Sequence, residues 1–210
     1  MEETPFRLLE TMRWEDGRIA LWPRHLDRLR RSATYFGFLL DEVAVLDALA
    51  AATDGLDDDG PWRVRLSLGR AGDPSVETAP LDDARPWTVR VYPEAVEARG
   101  PFFQHKTTQR AVYDAALAWA RAQGADDALL VNPQGEVVET TRANVWIEQA
   151  GRMLTPPLSS VGGLAGVQRA HLLDTHPDAA EAVVRVDDLQ AAEGLYLSNA
   201  VRGLFAAHLR

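Results

Sequence analysis

Apolar and polar positions along the chain sort into short alternating runs and longer helical ones. Arg7 to Trp14 reads as a strand, Asp16-Gly17 as a hairpin turn and Arg18 to Trp22 as the returning strand. Pro23 suits the first turn of a helix in which Leu26, Leu29, Ala33 and Phe36 recur at helical spacing, and Gly37 ends it. The other face carries Arg24, His25, Arg28 and Arg31, read as a solvated face except that Arg28 lies between the two, where it can reach inward. Asp41 caps a second helix with Val43, Leu46 and Leu49 as its stripe. An acidic surface connection follows at 53–61. Trp62 to Gly69 alternates as a strand, with Val64, Leu66 and Leu68 on one side. Arg70 to Pro86 is loop-like, with room for a short strand at Val76, and Val89 and Val91 lie in another strand.

Tyr92 to Pro101 mixes proline, glycine and charge, and reads as a linker. It divides the chain into a small N-terminal α+β domain, 1–95, and a larger β-rich domain, 96–210. From Thr107 a helical pattern returns, with Ala111, Ala115, Leu117, Ala118 and Ala122 as packing positions and Gly124 as its close. Strands are expected at Asp127 to Val131 and Glu136 to Thr140 around an Asn-Pro-Gln-Gly turn, then at Asn144 to Gln149 and Met153 to Thr155 around Gly151. A glycine-rich loop, Ser159 to Gly166, leads into a helix from Val167, and Val183 to Val186 and Leu195 to Ser198 read as strands. The class is α+β.

Charge and composition narrow the functions. The net charge of −9 argues against a general nucleic-acid binder, which needs clustered cations. With no cysteine there is no disulfide, thiolate metal site or cysteine nucleophile. No apolar run reaches ~18 residues, so no membrane span is expected. The N-terminus lacks a signal-peptide layout, and cytoplasm is the expected compartment. The five histidines form no HExxH, and no GxSxG elbow occurs, so no metal site is expected.

Candidate chemistry concentrates in Gly135 to Trp146, GEVVETTRANVW, where Glu139, two threonines and Asn144 sit between strand-like runs. A strand holds such groups rigidly and aims alternate ones at one pocket. Lys106 follows two phenylalanines, an apolar setting that disfavours the charged amine. The loop SSVGGLAG before a helix presents free N–H groups at the positive end of a dipole, which suits an anion. Strand carboxylate, amine and phosphate-sized loop together describe a place for pyridoxal phosphate, which needs a Schiff-base lysine, an acid for its pyridine nitrogen and an anion cradle. At a strand end near the C-terminus stand Asn199 and Arg202, the latter equally readable as half of a surface ion pair.

The run from Glu136 to Arg169 resembles the signature of the class IV pyridoxal-phosphate aminotransferases, through Glu139, Thr141, Asn144, Met153, Thr155 and Leu164-Ala165-Gly166-Val167-Gln168-Arg169. HKTTQRAVYDAA from His105 is similar to the family's lysine segment, and Glu10 to Ala33 to its N-terminal layer. Within the family the likeness is nearest to the aminodeoxychorismate lyase branch. The resemblance implies the two-domain fold of D-amino acid aminotransferases and pyridoxal phosphate as cofactor. It implies a small-molecule amine substrate, a homodimer, and a place in folate biosynthesis with a possible aminodeoxychorismate synthase partner. By position, Lys106 would form the Schiff base and shuttle protons, and Glu139 would pair with the pyridine nitrogen. Arg28 and the N–H groups of Val167 and Gln168 would bind the phosphate, and Leu164 would pack on the ring. Asn199 would contact the phosphate or substrate side. Apart from the resemblance, Arg202 is the candidate for a substrate carboxylate, and Thr11 the candidate to assist proton transfer in the lyase branch, equally readable as a strand-face hydroxyl. The alternatives are a transaminase for branched-chain or D-amino acids, or a non-catalytic binding module. Three departures stand out: Trp146 replaces the usual Phe or Tyr; members usually carry a further N-terminal segment; and the tyrosine that branched-chain members place after the lysine has its nearest counterpart in Tyr113, which is given no such role.

Overall fold

The structure is a computed structural model that describes residues 5–56, 60–82 and 85–210. Residues 57–59 of the expected acidic connection and 83–84 of the expected loop at 70–86 lie outside the described residues. Two compact units form, one of Met1–Asp83 with His105–Gln109, the other of Ala84–Gln104 with Arg110–Arg210.

In the first unit, β1 (Leu8–Glu15) turns at Asp16 and Gly17. Both have positive φ, 52° and 71°, as a type I′ hairpin turn requires. The returning strand β2 is only Arg18–Ile19, because Trp22 already opens α1 (Trp22–Phe36). Gly37 closes α1 in the left-handed conformation. The buried face of α1 is His25, Arg28, Leu29, Ser32 and Ala33. His25 is therefore wholly inside, not on the solvated face expected of it, because a carboxylate on β1 waits there. In α2 (Glu42–Thr53) the Asp41 carboxylate accepts from the N–H groups of Val43 and Ala44. Its buried residues are Val45 and Leu49, while Val43 and Leu46 are exposed. This corrects the expected stripe: α2 is apolar nearly all round, so spacing alone does not choose its inner face. Strands β3 (Trp62–Leu68) and β4 (Pro74–Pro80) complete an antiparallel sheet in the order β2-β1-β3-β4. Leu8, Met12, Val64, Leu66 and Leu68 are its fully buried apolar residues. β4 is a full strand where only a short one was expected, since its residues alternate weakly. Residues 106–108 run beside β1: Leu9 N–H donates to the Lys106 carbonyl at 2.9 Å, and Thr108 N–H to that of Arg7 at 3.0 Å.

The second unit holds β5 (Trp87–Val91), α3 (Pro101–Gln104), α4 (Ala111–Ala122), β6 (Asp127–Val131), β7 (Val137–Thr140), β8 (Asn144–Gln149), β9 (Arg152–Thr155), α5 (Val167–Thr175), β10 (Ala179–Glu181), α6 (Val186–Ala191), β11 (Gly194–Asn199) and β12 (Gly203–Leu209). The strands form one mixed sheet in the order β10-β9-β8-β11-β12-β5-β6-β7. It curls on itself: Val137 N–H at the β7 edge donates to the Val184 carbonyl, just beyond β10, at 2.8 Å. Val89, Leu129, Val137, Val145, Ile147, Leu197 and Ala207 share the core inside the curl. On the other face, Tyr113, Ala116 and Ala120 of α4 pack with Ala128, Leu130 and Val138. Two expectations are corrected here. The helix starts at Ala111 rather than Thr107 because 106–108 is drawn out along β1, and Ala111, Ala115, Ala118 and Ala122, expected to pack, are exposed. The run from Val183 continues into α6 rather than forming a strand, although Val184 still lends its carbonyl to β7.

Candidate functional site

Glu139 owes its direction to a break in strand pairing. Leu130 pairs with Glu139 and Val131 with Val137, so Val138 is an extra residue in β7. Without it, Glu139 would share the face of Val137 and point into the core. With it, Val138 and Glu139 both reach the α4 side. There Glu139 is 3% exposed, so its carboxylate must be satisfied by protein donors. The Tyr113 hydroxyl donates to Oε1 at 2.6 Å, Asn144 Nδ2 to Oε2 at 3.2 Å, and the Leu164 N–H lies 3.1 and 3.2 Å from the two oxygens. Burial and the neighbouring carboxylate push the Tyr113 phenol well above its usual pKa, so it stays a donor.

Glycines let the loop come this close. Gly163 has φ of 99°, and a Cβ there would stand 3.2 Å from Val138 Cγ1 and 3.4 Å from Glu139 Cδ. A Cβ on Gly166 would meet Asn144 Oδ1. Asn144 also donates to the Leu164 carbonyl at 3.0 Å, which ties the loop to β8. Gly166 is the N-cap of α5 with no side-chain cap, so the first turn presents the N–H groups of Val167 and Gln168 without intrahelical acceptors. Arg169, which ends the signature run, is buried and donates to the Pro156 carbonyl and to Glu181, anchoring the helix.

In the first unit, Lys106 is half-buried and its neighbours pin it. His105 stacks on Tyr35 at 4.5 Å, with Nδ1 3.0 Å from Ser32 Oγ, and Thr107 is buried opposite Leu8. Burial, with Arg31 nearby, lowers the His105 pKa. Strand pleating puts Lys106 on the same sheet face as Leu9 and Thr11. Thr11 is half-buried, directly across from Arg65. Arg28 reaches the opposite face from α1. Its Nε and Nη2 donate to the two oxygens of Glu10 at 2.8 and 2.5 Å, and His25 Nδ1 lies 2.6 Å from Glu10 Oε2. Burial favours the neutral acid, but the Arg28 charge and the hydrogen bonds of His25 and Arg28 outweigh it and hold Glu10 down at about 2. His25 Nε2 has no hydrogen-bond partner among the described residues.

The last two candidates lie at the β11–β12 turn. Asn199 Oδ1 accepts from the N–H groups of Val201 and Arg202, and its Nδ2 stands 3.4 Å from the Arg142 carbonyl. The Arg202 guanidinium is 5.7 Å from the centre of the Trp87 ring, which Arg142 also covers at 4.4 Å. A broad cleft of about 890 Å³ in this unit is lined by Arg90, Trp119, Gln123, Tyr196 and His208 among others, and by none of the sequence-derived candidates. Buried charge and donor density, not cavity size, single out the Glu139 cluster as the candidate site.

Glu10, His25 and Tyr113 escaped the sequence reading as members of these clusters.

Comparison with known proteins bears on the whole chain. The sequence model described as amino-transferase class IV matches residues 7–209. The chain belongs to that family. Like the other class IV members it is an enzyme, and the α+β architecture of a curled mixed sheet and a small sheet with helices is the family's fold. A Schizosaccharomyces pombe protein named provisionally as an aminodeoxychorismate lyase is 33% identical, over 96% of this chain and 88% of its own length. A Mesorhizobium loti crystal structure, provisionally an amino-acid aminotransferase, superposes with a TM-score of 0.91 at 36% identity, covering 98% of this chain and 100% of that one. A hypothetical aminotransferase from Mycobacterium tuberculosis in its PLP-bound form has a TM-score of 0.84 at 25% identity, covering 97% and 81%.

Proposed function

We propose that this class IV enzyme is a pyridoxal-phosphate-dependent lyase that converts 4-amino-4-deoxychorismate to 4-aminobenzoate and pyruvate. The observation that carries the substrate is the 33% identity, across 96% of the chain, to the Schizosaccharomyces pombe protein named for that activity. Support for the cofactor comes from family membership and from the PLP-bound neighbour. The residues fit the group: a buried carboxylate held by several donors suits a protonated pyridine nitrogen, and an uncapped helix start with close-approach glycines suits a phosphate.

When bound, the cofactor supplies a conjugated ring that takes up the electron pair left by proton removal. Lys106 Nζ would hold the cofactor and, when free, would take a proton from the substrate. Glu139 would keep the pyridine nitrogen protonated. The N–H groups of Val167 and Gln168 would hold the phosphate, and Arg28 would join them by turning from its pair with Glu10; Leu164 would pack on the ring, and Asn199 would serve the phosphate or substrate side. Arg202 receives a substrate carboxylate and Thr11 assists proton transfer. The enzyme works in the cytoplasm as a homodimer, with aminodeoxychorismate synthase as a possible partner.

A second reading is an amino-acid transaminase, favoured by the Mesorhizobium neighbour at 36% identity, with branched-chain or D-amino acids as its proposed substrates. Product analysis separates the two. Aminodeoxychorismate should yield 4-aminobenzoate and pyruvate in equal amounts, and Lys106→Ala should abolish both while leaving the far-UV circular dichroism unchanged. A keto acid formed from an amino acid, with no aminobenzoate, would overturn the lyase reading in favour of the transaminase. Undiminished turnover by Lys106→Ala would remove the lysine from its role.

A further inference from the structure

We propose that Tyr113 is a positioning residue for Glu139: its phenol fixes the direction of the buried carboxylate and, through it, the cofactor's pyridine ring. The inference rests on the reading that Glu139 pairs with the ring nitrogen. A glutamate side chain has three rotatable bonds, and a carboxylate aimed at one atom has to be held from several sides. Two of its donors come from β8 and from the glycine loop, Asn144 Nδ2 and the Leu164 N–H. Tyr113 adds a third direction from α4, a helix seated by the fully buried Ala116 and Ala120. The 2.6 Å separation is that of a charge-assisted O–H···O bond, the stronger kind.

The tyrosine is itself held. Its ring lies 5.1 Å from that of Phe103, and the Arg110 guanidinium sits 4.7 Å over it. Arg110 donates to the Thr141 carbonyl at 2.7 Å, which ties the start of α4 to the end of β7. A phenol with two rotatable bonds, clamped on both sides, is a rigid donor. Its high pKa keeps the proton on the oxygen throughout the working range, so the bond runs from phenol to carboxylate. A buried tyrosine needs some acceptor for its hydroxyl. What points beyond mere satisfaction is the acceptor: the strand acid that a bulge in β7 has turned toward it.

The test is a double-mutant cycle on cofactor binding, read without turnover. Pyridoxal phosphate is titrated into the full-length protein and followed by its visible absorption. The unaltered chain, Tyr113→Phe, Glu139→Ala and the double variant are compared. Tyr113→Phe keeps the ring and its contacts, and a thermal melt of the cofactor-free protein checks that it folds. Positioning through Glu139 predicts that Tyr113→Phe raises the dissociation constant about tenfold when Glu139 is present and less than about twofold when it is Ala. The visible circular dichroism per bound cofactor should also fall in Tyr113→Phe. Equal effects in both backgrounds would mean that the hydroxyl acts independently of Glu139 and would overturn the proposal. If Glu139→Ala weakens binding and Tyr113→Phe does not, only this inference fails. If the unaltered protein does not bind the cofactor, the enzyme reading fails and this inference with it.

Discussion

At the scale of single residues, the first unit is built around a charge cluster as much as around oil. Glu10 is 1% exposed and pairs in two-pronged fashion with Arg28, itself 6% exposed. Removing one partner of a buried pair leaves the other charge without its counterion, at a cost of about 3–5 kcal/mol. Glu10→Gln should therefore lower the melting temperature by on the order of 10 °C. A melt within about 2 °C of the unaltered chain would show that the pair carries no such weight. Little of this was legible beforehand: in the sequence, Glu10 is one acid among 31 and His25 one histidine among five. Which of them are inside depends on β1 and α1 meeting face to face, a fact with no local trace.

Elements carry the next lesson, because the loop before α5 is shaped by what it must pass. Gly166 has φ of −66°, which any residue adopts, yet an added Cβ would fall on Asn144 Oδ1. Gly151 has φ of 72° with open space around it. Gly151→Ala should therefore cost about 1 kcal/mol through backbone strain alone and leave cofactor binding unchanged. Gly166→Ala has to displace Asn144, and with it one donor to Glu139, so it should weaken cofactor binding by about tenfold or more. Equal binding by the two variants, measured by titration, would mean that the loop is not held to this tolerance. The glycine run itself was visible in the sequence. The bulge that turns Glu139 was not, because one inserted strand residue looks the same as an ordinary one until the partner strand is known.

For the whole molecule, buried and paired carboxylates set the response to acid. Glu10 is held at about 2 against an ordinary 4.5. Its folded pKa lies below the unfolded one, so its stabilisation is fully present above about pH 4.5 and is lost as pH falls through 2. The size is about 3 kcal/mol. Asp126 shifts in the same direction, chiefly through its hydrogen bond to Arg85, with the backbone and hydroxyl of Thr88 adding to it. Urea unfolding should accordingly show a midpoint that declines slightly below about pH 6.5, where the lowered His105 charges first in the unfolded chain, and more steeply from about 5 towards 3. In Glu10→Gln that decline should be shallower. The same slope in both chains would place the acid sensitivity elsewhere.

The sequence by itself determined the class of fold, most of the strands, the glycine loop, the helix behind it and the family to which the chain belongs, because those depend on local periodicity and on a motif of about thirty neighbouring residues. Tertiary structure alone decided that His25 is buried, that α2 turns Val45 and Leu49 inward, that 106–108 lies along β1 instead of starting a helix, and that Tyr113 meets Glu139. Each of those choices pairs residues far apart in the chain. Their energies come from burial and from donors on another element, and a local pattern does not record either.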